Sequence, residues 1–130
     1  MTSHPSHQGI GVLLVDDDPL VRSALALMLG GEGDIEVVGE AADGGEGVRL
    51  ATDLRPDVVL MDIRMPRVDG LEATRELHRR PDPPRVIVLT TFDADEHVVD
   101  ALASGADGFL LKDTPPPLIV DAIRKVVDDE

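Results

Sequence analysis

Five short apolar runs punctuate the chain: IGVLLV at 10–15, IEVVGEA at 35–41, DVVLM at 57–61, RVIVL at 85–89 and DGFLL at 107–111. Most are nearly continuous in Val, Leu and Ile rather than alternating with polar residues, the pattern of strands buried on both faces of a parallel sheet. Between them apolar residues return at helical spacing. Leu20, Ala24, Leu27 and Met28 fall on one face, Val48, Ala51 and Leu54 on a second, and Leu71, Thr74, Arg75 and His78 on a weaker third. Val98, Val99, Leu102 and Ala103 form a fourth stripe, and Leu118, Ala122, Ile123 and Val126 a fifth. Asp18-Pro19 and Thr114-Pro115 both read as an N-cap followed by a first-turn proline, and Asp93 as the N-cap of the fourth helix. Gly30, Gly31 and Gly105 suit helix C-termini or turns. The pattern predicts a (βα)5 unit over 10–128, a three-layer α/β domain with right-handed crossovers, preceded by a flexible arm over 1–9.

Composition narrows the function classes. The apolar share of 42% in 130 residues suits one hydrophobic core. No apolar run approaches the roughly 20 residues needed to cross a bilayer. The leader MTSHPSHQG has neither the basic start nor the apolar middle of a secretory signal. Absence of cysteine excludes disulfides, thiolate metal sites and cysteine nucleophiles, and fits a cytoplasmic protein. The net charge is −14, so this domain would be repelled by nucleic acid, which is bound through Lys and Arg. Most of the acidic surface reads as solubility, but some acids stand where that explanation does not reach.

In an open parallel sheet the functional crevice lies beyond the carboxyl ends of the strands. The first run is followed by Asp16, Asp17 and Asp18, the third by Asp62, the fourth by Thr90 and the fifth by Lys112. Four of five strands thus deliver a charged or reactive side chain to one edge; the second does not, as an edge strand remote from the site would not. If the first and third strands are neighbours, Asp16, Asp17 and Asp62 crowd together, and like charges at that range need a compensating cation. A hard divalent ion with oxygen ligands, Mg²⁺, is the natural partner. A carboxylate, Mg²⁺, a lysine and a hydroxyl are the parts needed to pass a phosphoryl group onto an aspartate.

At these residues the sequence resembles a response-regulator receiver domain of two-component signalling. The segments LLVDDDPLVR, PDVVLMDIRMPRVDG, VIVLTTFD and GADGFLLKD carry the likeness, in order and spacing, over about residues 10 to 128. The resemblance implies a flavodoxin-like fold with strand order 2-1-3-4-5. It makes Asp62 the phosphoacceptor, Asp17 a direct Mg²⁺ ligand, Asp16 a ligand through water, and the Arg64 backbone carbonyl the remaining protein ligand. Thr90 becomes the switch hydroxyl, Lys112 the lysine facing the phosphoryl group, and Phe109 the aromatic switch. Pro66 and Gly70 match the loop supporting the acceptor. It further implies a switch rather than an enzyme, with a sensor histidine kinase as donor and homodimerisation on phosphorylation. The face formed by the fourth helix, fifth strand and fifth helix would be read by partners.

DGFLLKD and VLTTFD are most like regulators carrying a LuxR-type helix-turn-helix. Residues 129–130 are expected to begin a linker to such a C-terminal output domain, which would bind DNA and control transcription. Three positions depart from the common pattern. Asp113 follows Lys112 where many receivers have a cis proline; Arg64 and Phe92 stand two residues past the acceptor and switch threonine; and Asp18 replaces a common histidine. Two other readings remain open from the sequence: a receiver-like binding module that works without phosphorylation, and an aspartate-nucleophile phosphatase. The second needs another acid two residues after the nucleophile, where Arg64 stands.

Overall fold

The computed structural model of the chain describes residues 9–63, 70–90 and 103–128. Five strands, β1 (Ile10–Val15), β2 (Ile35–Ala41), β3 (Val58–Asp62), β4 (Arg85–Thr90) and β5 (Gly108–Leu111), form one sheet. All pairings are parallel and the order is β2-β1-β3-β4-β5. This is the flavodoxin-like order expected, with β2 at one edge. Four described helices accompany it: α1 (Pro19–Gly30), α2 (Gly44–Leu54), α3 (Gly70–His78) and a C-terminal helix, α4 (Pro116–Asp128). Of the stripe over Val98, Val99, Leu102 and Ala103, only Ala103 belongs to the described residues, and Asp93 lies outside them.

The near-continuous strands alternate between two cores. Leu13, Val15, Val59, Met61, Val86 and Val88 pack with Ala51 of α2 and with Ala73 and Leu77 of α3. Val12, Leu14, Val58, Leu60, Ile87 and Leu89 pack with Leu29 of α1 and with Ile119, Val120 and Ile123 of α4. The three central strands β1, β3 and β4 are buried on both faces because helices cover both, while the edge strands β2 and β5 are only partly covered. At the amino end of the sheet two aspartates tie neighbouring strands. Asp57 Oδ2 accepts from the Gly11 amide at 2.8 Å, and Asp107 Oδ2 accepts from the Val86 amide at 2.9 Å.

Three helix faces differ from the sequence pattern. On α1 the stripe Leu20–Ala24–Leu27 points outward, with Leu20 79% and Leu27 83% exposed. Met28, the fourth member of that stripe, does pack on the core, and the rest of the inward face is Leu25, Ala26 and Leu29, continued toward the N-terminus by Arg22. An arginine at the first inward position made that face look polar. On α3 the buried set is Gly70, Ala73, Thr74 and Leu77, so Arg75 and His78 lie on the exposed side. On α4 Ile119, Val120 and Ile123 are buried while Leu118 is exposed, and helix begins at Pro116, one residue later than the Thr114-Pro115 reading. Its first carbonyl acceptor is Pro115. Asp18 does cap α1, accepting from the Leu20 amide at 2.9 Å, with Pro19 in the first turn. Gly31 serves as the C-cap of α1 but in right-handed conformation, and Gly105 takes φ +100 against the His78 ring.

Candidate functional site

The acids cluster at the carboxyl edge because β1 and β3 are adjacent and in register, Val15 opposite Met61, so both chains leave the sheet at the same level. Asp16 and Asp62 are 3% and 4% exposed, while Asp17 is exposed. One carboxylate oxygen from each of the three lies within 4.8 Å of the others. At an effective dielectric near 20, two unit charges at this range repel by about 3.5 kcal/mol or more.

Lys112, just past β5, reaches across β4 to this cluster. Its Nζ stands 3.1 Å from Asp62 Oδ1 and 3.1 Å from Asp16 Oδ2. Toward Asp16 the contact is an ion pair without hydrogen-bond direction, so Asp16 Oδ2 is a buried acceptor lacking a hydrogen-bond donor among the described residues. Burial first, and the Asp16 carboxylate second, push the Asp62 carboxyl up to about 6 in spite of Lys112. For Lys112, burial pulls the ammonium down, but Asp62 and Asp16 outweigh it and leave it above its ordinary value. One lysine against three carboxylates leaves a local excess of two negative charges.

The backbone around the acids is closely held. The Asp16 amide donates to the Ala41 carbonyl at 3.0 Å, and the Asp18 amide donates to Asp16 Oδ1 at 2.9 Å. Arg22 Nη1 donates to the Asp16 carbonyl at 2.5 Å, and its Nε pairs with Glu40 Oε1 at 3.1 Å. Arg22 stood within LLVDDDPLVR, but nothing in the sequence set it apart from a solvated helix arginine. Beneath Asp62, the Gly70 amide donates to the Ile63 carbonyl at 2.9 Å. A Cβ at Gly70 would lie 1.9 Å from the Asp62 carbonyl oxygen, so only glycine lets α3 start this close.

The structure therefore brings together Asp16, Asp17, Asp62 and Lys112. Thr90 ends β4, buried, one residue past Leu89, the register partner of Asp62. The Lys112 amide donates to the Thr90 carbonyl at 2.7 Å. Phe109 is half-buried on β5 opposite Val88 and packs on the core facing α2 and α3. The peptide bonds are all trans among the described residues, including that between Lys112 and Asp113. Arg64, Pro66 and Phe92 lie outside the described residues. Chemically, the arrangement offers a strained carboxylate with a shared lysine beside it and room for positive charge.

A family model described as the response regulator receiver domain matches residues 12–124. The chain is 50% identical over 115 residues to the transcriptional regulatory protein LiaR of Bacillus subtilis, covering 88% of this chain and 54% of that protein. It thus spans just over half the length of that relative. The receiver domain of the putative response regulator NarL from Mycobacterium tuberculosis matches with a TM-score of 0.90 and 36% identity, covering 95% of this chain and 99% of that one. A DNA-binding response regulator of the LuxR family from Staphylococcus aureus matches with a TM-score of 0.86 and 27% identity, covering 92% and 99%. The matched residues 12–124 include Asp16, Asp17, Asp62 and Lys112, and the chain belongs to the response regulator receiver domain family.

Proposed function

We propose that the chain is a phosphorylation-operated switch in which Asp62 accepts a phosphoryl group from a phosphohistidine on a sensor kinase. The observation that carries this is a buried carboxylate at the end of β3, shared by one lysine and crowded by two further acids. Asp62 Oδ attacks phosphorus in line; the P–N bond to the kinase histidine breaks as the O–P bond forms, and the histidine leaves to take up a proton. Lys112 holds its charge beside the oxygens of the transferred group.

The donor set fits a hard divalent cation: three carboxylates within 4.8 Å, a buried Asp16 oxygen that shares the Lys112 ammonium with Asp62, and an uncompensated excess of two charges. Asp17 and Asp62 would ligate Mg²⁺ directly, Asp16 through water, and the Arg64 carbonyl would complete the protein ligands. The ion supplies neutralisation of charge on the transferring phosphoryl group.

Once Asp62 is modified, Thr90 and Lys112 turn toward the added oxygens, and Phe109 takes up the space released. The surface around β5 and α4 then changes, favouring a homodimer and controlling a LuxR-type DNA-binding output domain. LiaR is a transcriptional regulatory protein and the Staphylococcus aureus relative a DNA-binding response regulator, which supports transcription regulation as the output of the switch. Among the described residues no helix is long and apolar enough to cross a membrane.

Incubation with acetyl phosphate and Mg²⁺, followed by intact mass measurement, tests the reading. One added phosphoryl group on the wild type, absent from Asp62→Asn, is expected. Continuous hydrolysis of phosphate esters would instead indicate a phosphatase. No adduct would indicate a binding module that works unphosphorylated.

A further inference from the structure

We infer that Arg22 is a positioning residue for the cation site, acting on Asp17 through the backbone; the inference rests on the Mg²⁺ reading above. Asp17 is the exposed member of the acid cluster, and among the described residues no side-chain contact holds it. Its direction is set by the two peptide units that flank it, and each is clamped by a different charged group. The unit joining Asp16 to Asp17 is gripped at its carbonyl oxygen by Arg22 Nη1 at 2.5 Å. The unit joining Asp17 to Asp18 is gripped at its amide by Asp16 Oδ1 at 2.9 Å.

Arg22 is itself fixed. It stands on the inward stripe of α1 with Leu25, Ala26 and Leu29, its side chain is 18% exposed, and its Nε pairs with Glu40 at the end of β2. Its own amide donates to the Asp18 carbonyl at 3.1 Å, so the loop 16–18 is closed on both sides by one residue. A guanidinium can serve a carbonyl and a carboxylate at once with its planar fork, which an ammonium cannot do in the same geometry. Groups that hold a ligand in register raise metal affinity although they never touch the ion.

Electrostatics alone predicts the opposite sign. Arg22 is a cation near an acidic site, so deleting it should tighten binding of Mg²⁺ if charge is all that matters. Positioning predicts weaker binding. Calorimetric titration of MgCl2 into wild type, Arg22→Ala, Arg22→Gln and Arg22→Lys decides between them, with folding checked by circular dichroism in EDTA. Affinity should fall about tenfold in the Ala and Gln variants and recover in part with Lys. A faster-exchanging Asp18 amide in metal-free Arg22→Ala is the accompanying sign of a loosened loop. Unchanged or tighter binding in either the Ala or the Gln variant overturns the inference, and Gln answers the question if Ala does not fold. Asp17→Asn separates the two layers: if wild-type binding is insensitive to it, the metal site itself has been misplaced.

Discussion

Replacing Asp62 by Asn removes a charge that the fold holds at a disadvantage, and the size of that disadvantage follows from its surroundings. Burial and the Asp16 carboxylate push the Asp62 carboxyl from an ordinary 3.8 up to about 6. Converted at about 1.36 kcal/mol for each tenfold change in proton affinity, the folded metal-free protein disfavours ionised Asp62 by roughly 3 kcal/mol. The folded chain holds this proton more tightly than the unfolded chain does. The unfolded state therefore carries fewer protons at this site between about pH 4 and pH 6, and the contribution to stability falls as pH rises through that window. Asn has no such titration. In EDTA at constant ionic strength, the advantage of Asp62→Asn over wild type should grow by up to roughly 3 kcal/mol across the window and level off above about pH 7. Urea denaturation followed by circular dichroism is the assay, since the chain has no Trp or Tyr. Saturating Mg²⁺ should shrink the gap, because the wild type then gains a ligand that the variant binds poorly. A stability difference that does not change with pH, or a variant less stable than wild type at neutral pH, would refute the reasoning.

Two backbone predictions test the scaffold rather than the charges. Gly70→Ala drives a Cβ to 1.9 Å from the Asp62 carbonyl oxygen, where the obstacle is main chain and cannot rotate away. It should cost at least about 3 kcal/mol in urea denaturation, and a loss below about 1 kcal/mol would mean that α3 can back away freely. Arg55 closes α2 with φ 50, a left-handed conformation that penalises an L side chain. Arg55→Gly should gain about 0.5–1 kcal/mol at unchanged m-value, the strain relieved exceeding the added freedom of the unfolded chain.

The strands and the acid cluster were legible in the sequence for the same physical reason. Strands covered on both faces leave unbroken Val/Leu/Ile runs, and the first polar residue after each run marks the carboxyl edge; β3 and β4 simply extend one residue further, to include Asp62 and Thr90. The inward face of α1 was not legible, because its first position is Arg22 while Leu20 and Leu27 offered an equally periodic stripe. The paired cap of α2 left a signal that could have been taken: Asp43 accepts from the Glu46 amide, and Glu46 reaches back to the Ala42 amide. Asp57 and Asp107 carry no such mark. An aspartate before a strand has many uses, and only the pairing of β1 with β3 and of β4 with β5 shows that each accepts from a neighbour's amide.

The two edges of the sheet differ in how well their polar groups are satisfied, and that difference bears on where a switch can act. At the amino edge Asp57 and Asp107 close the ladder, each accepting from the adjacent strand with its side chain while its own amide donates back to that strand. At the carboxyl edge one ammonium stands 3.1 Å from two carboxylates, and Asp16 Oδ2 has no hydrogen bond among the described residues. A phosphoryl group on Asp62 would take one of those carboxylates out of the competition and move its charge outward. Lys112 would then have to follow the charge or fall back on Asp16 alone. Its amide is tied to the Thr90 carbonyl at 2.7 Å, so movement at that position pulls on the end of β4. Phe109 lies three residues back from Lys112, on β5, packed on the core facing α2 and α3. On the proposed reading, Lys112 is where a change in charge becomes a change in backbone, and the well-satisfied amino edge is what keeps that change local.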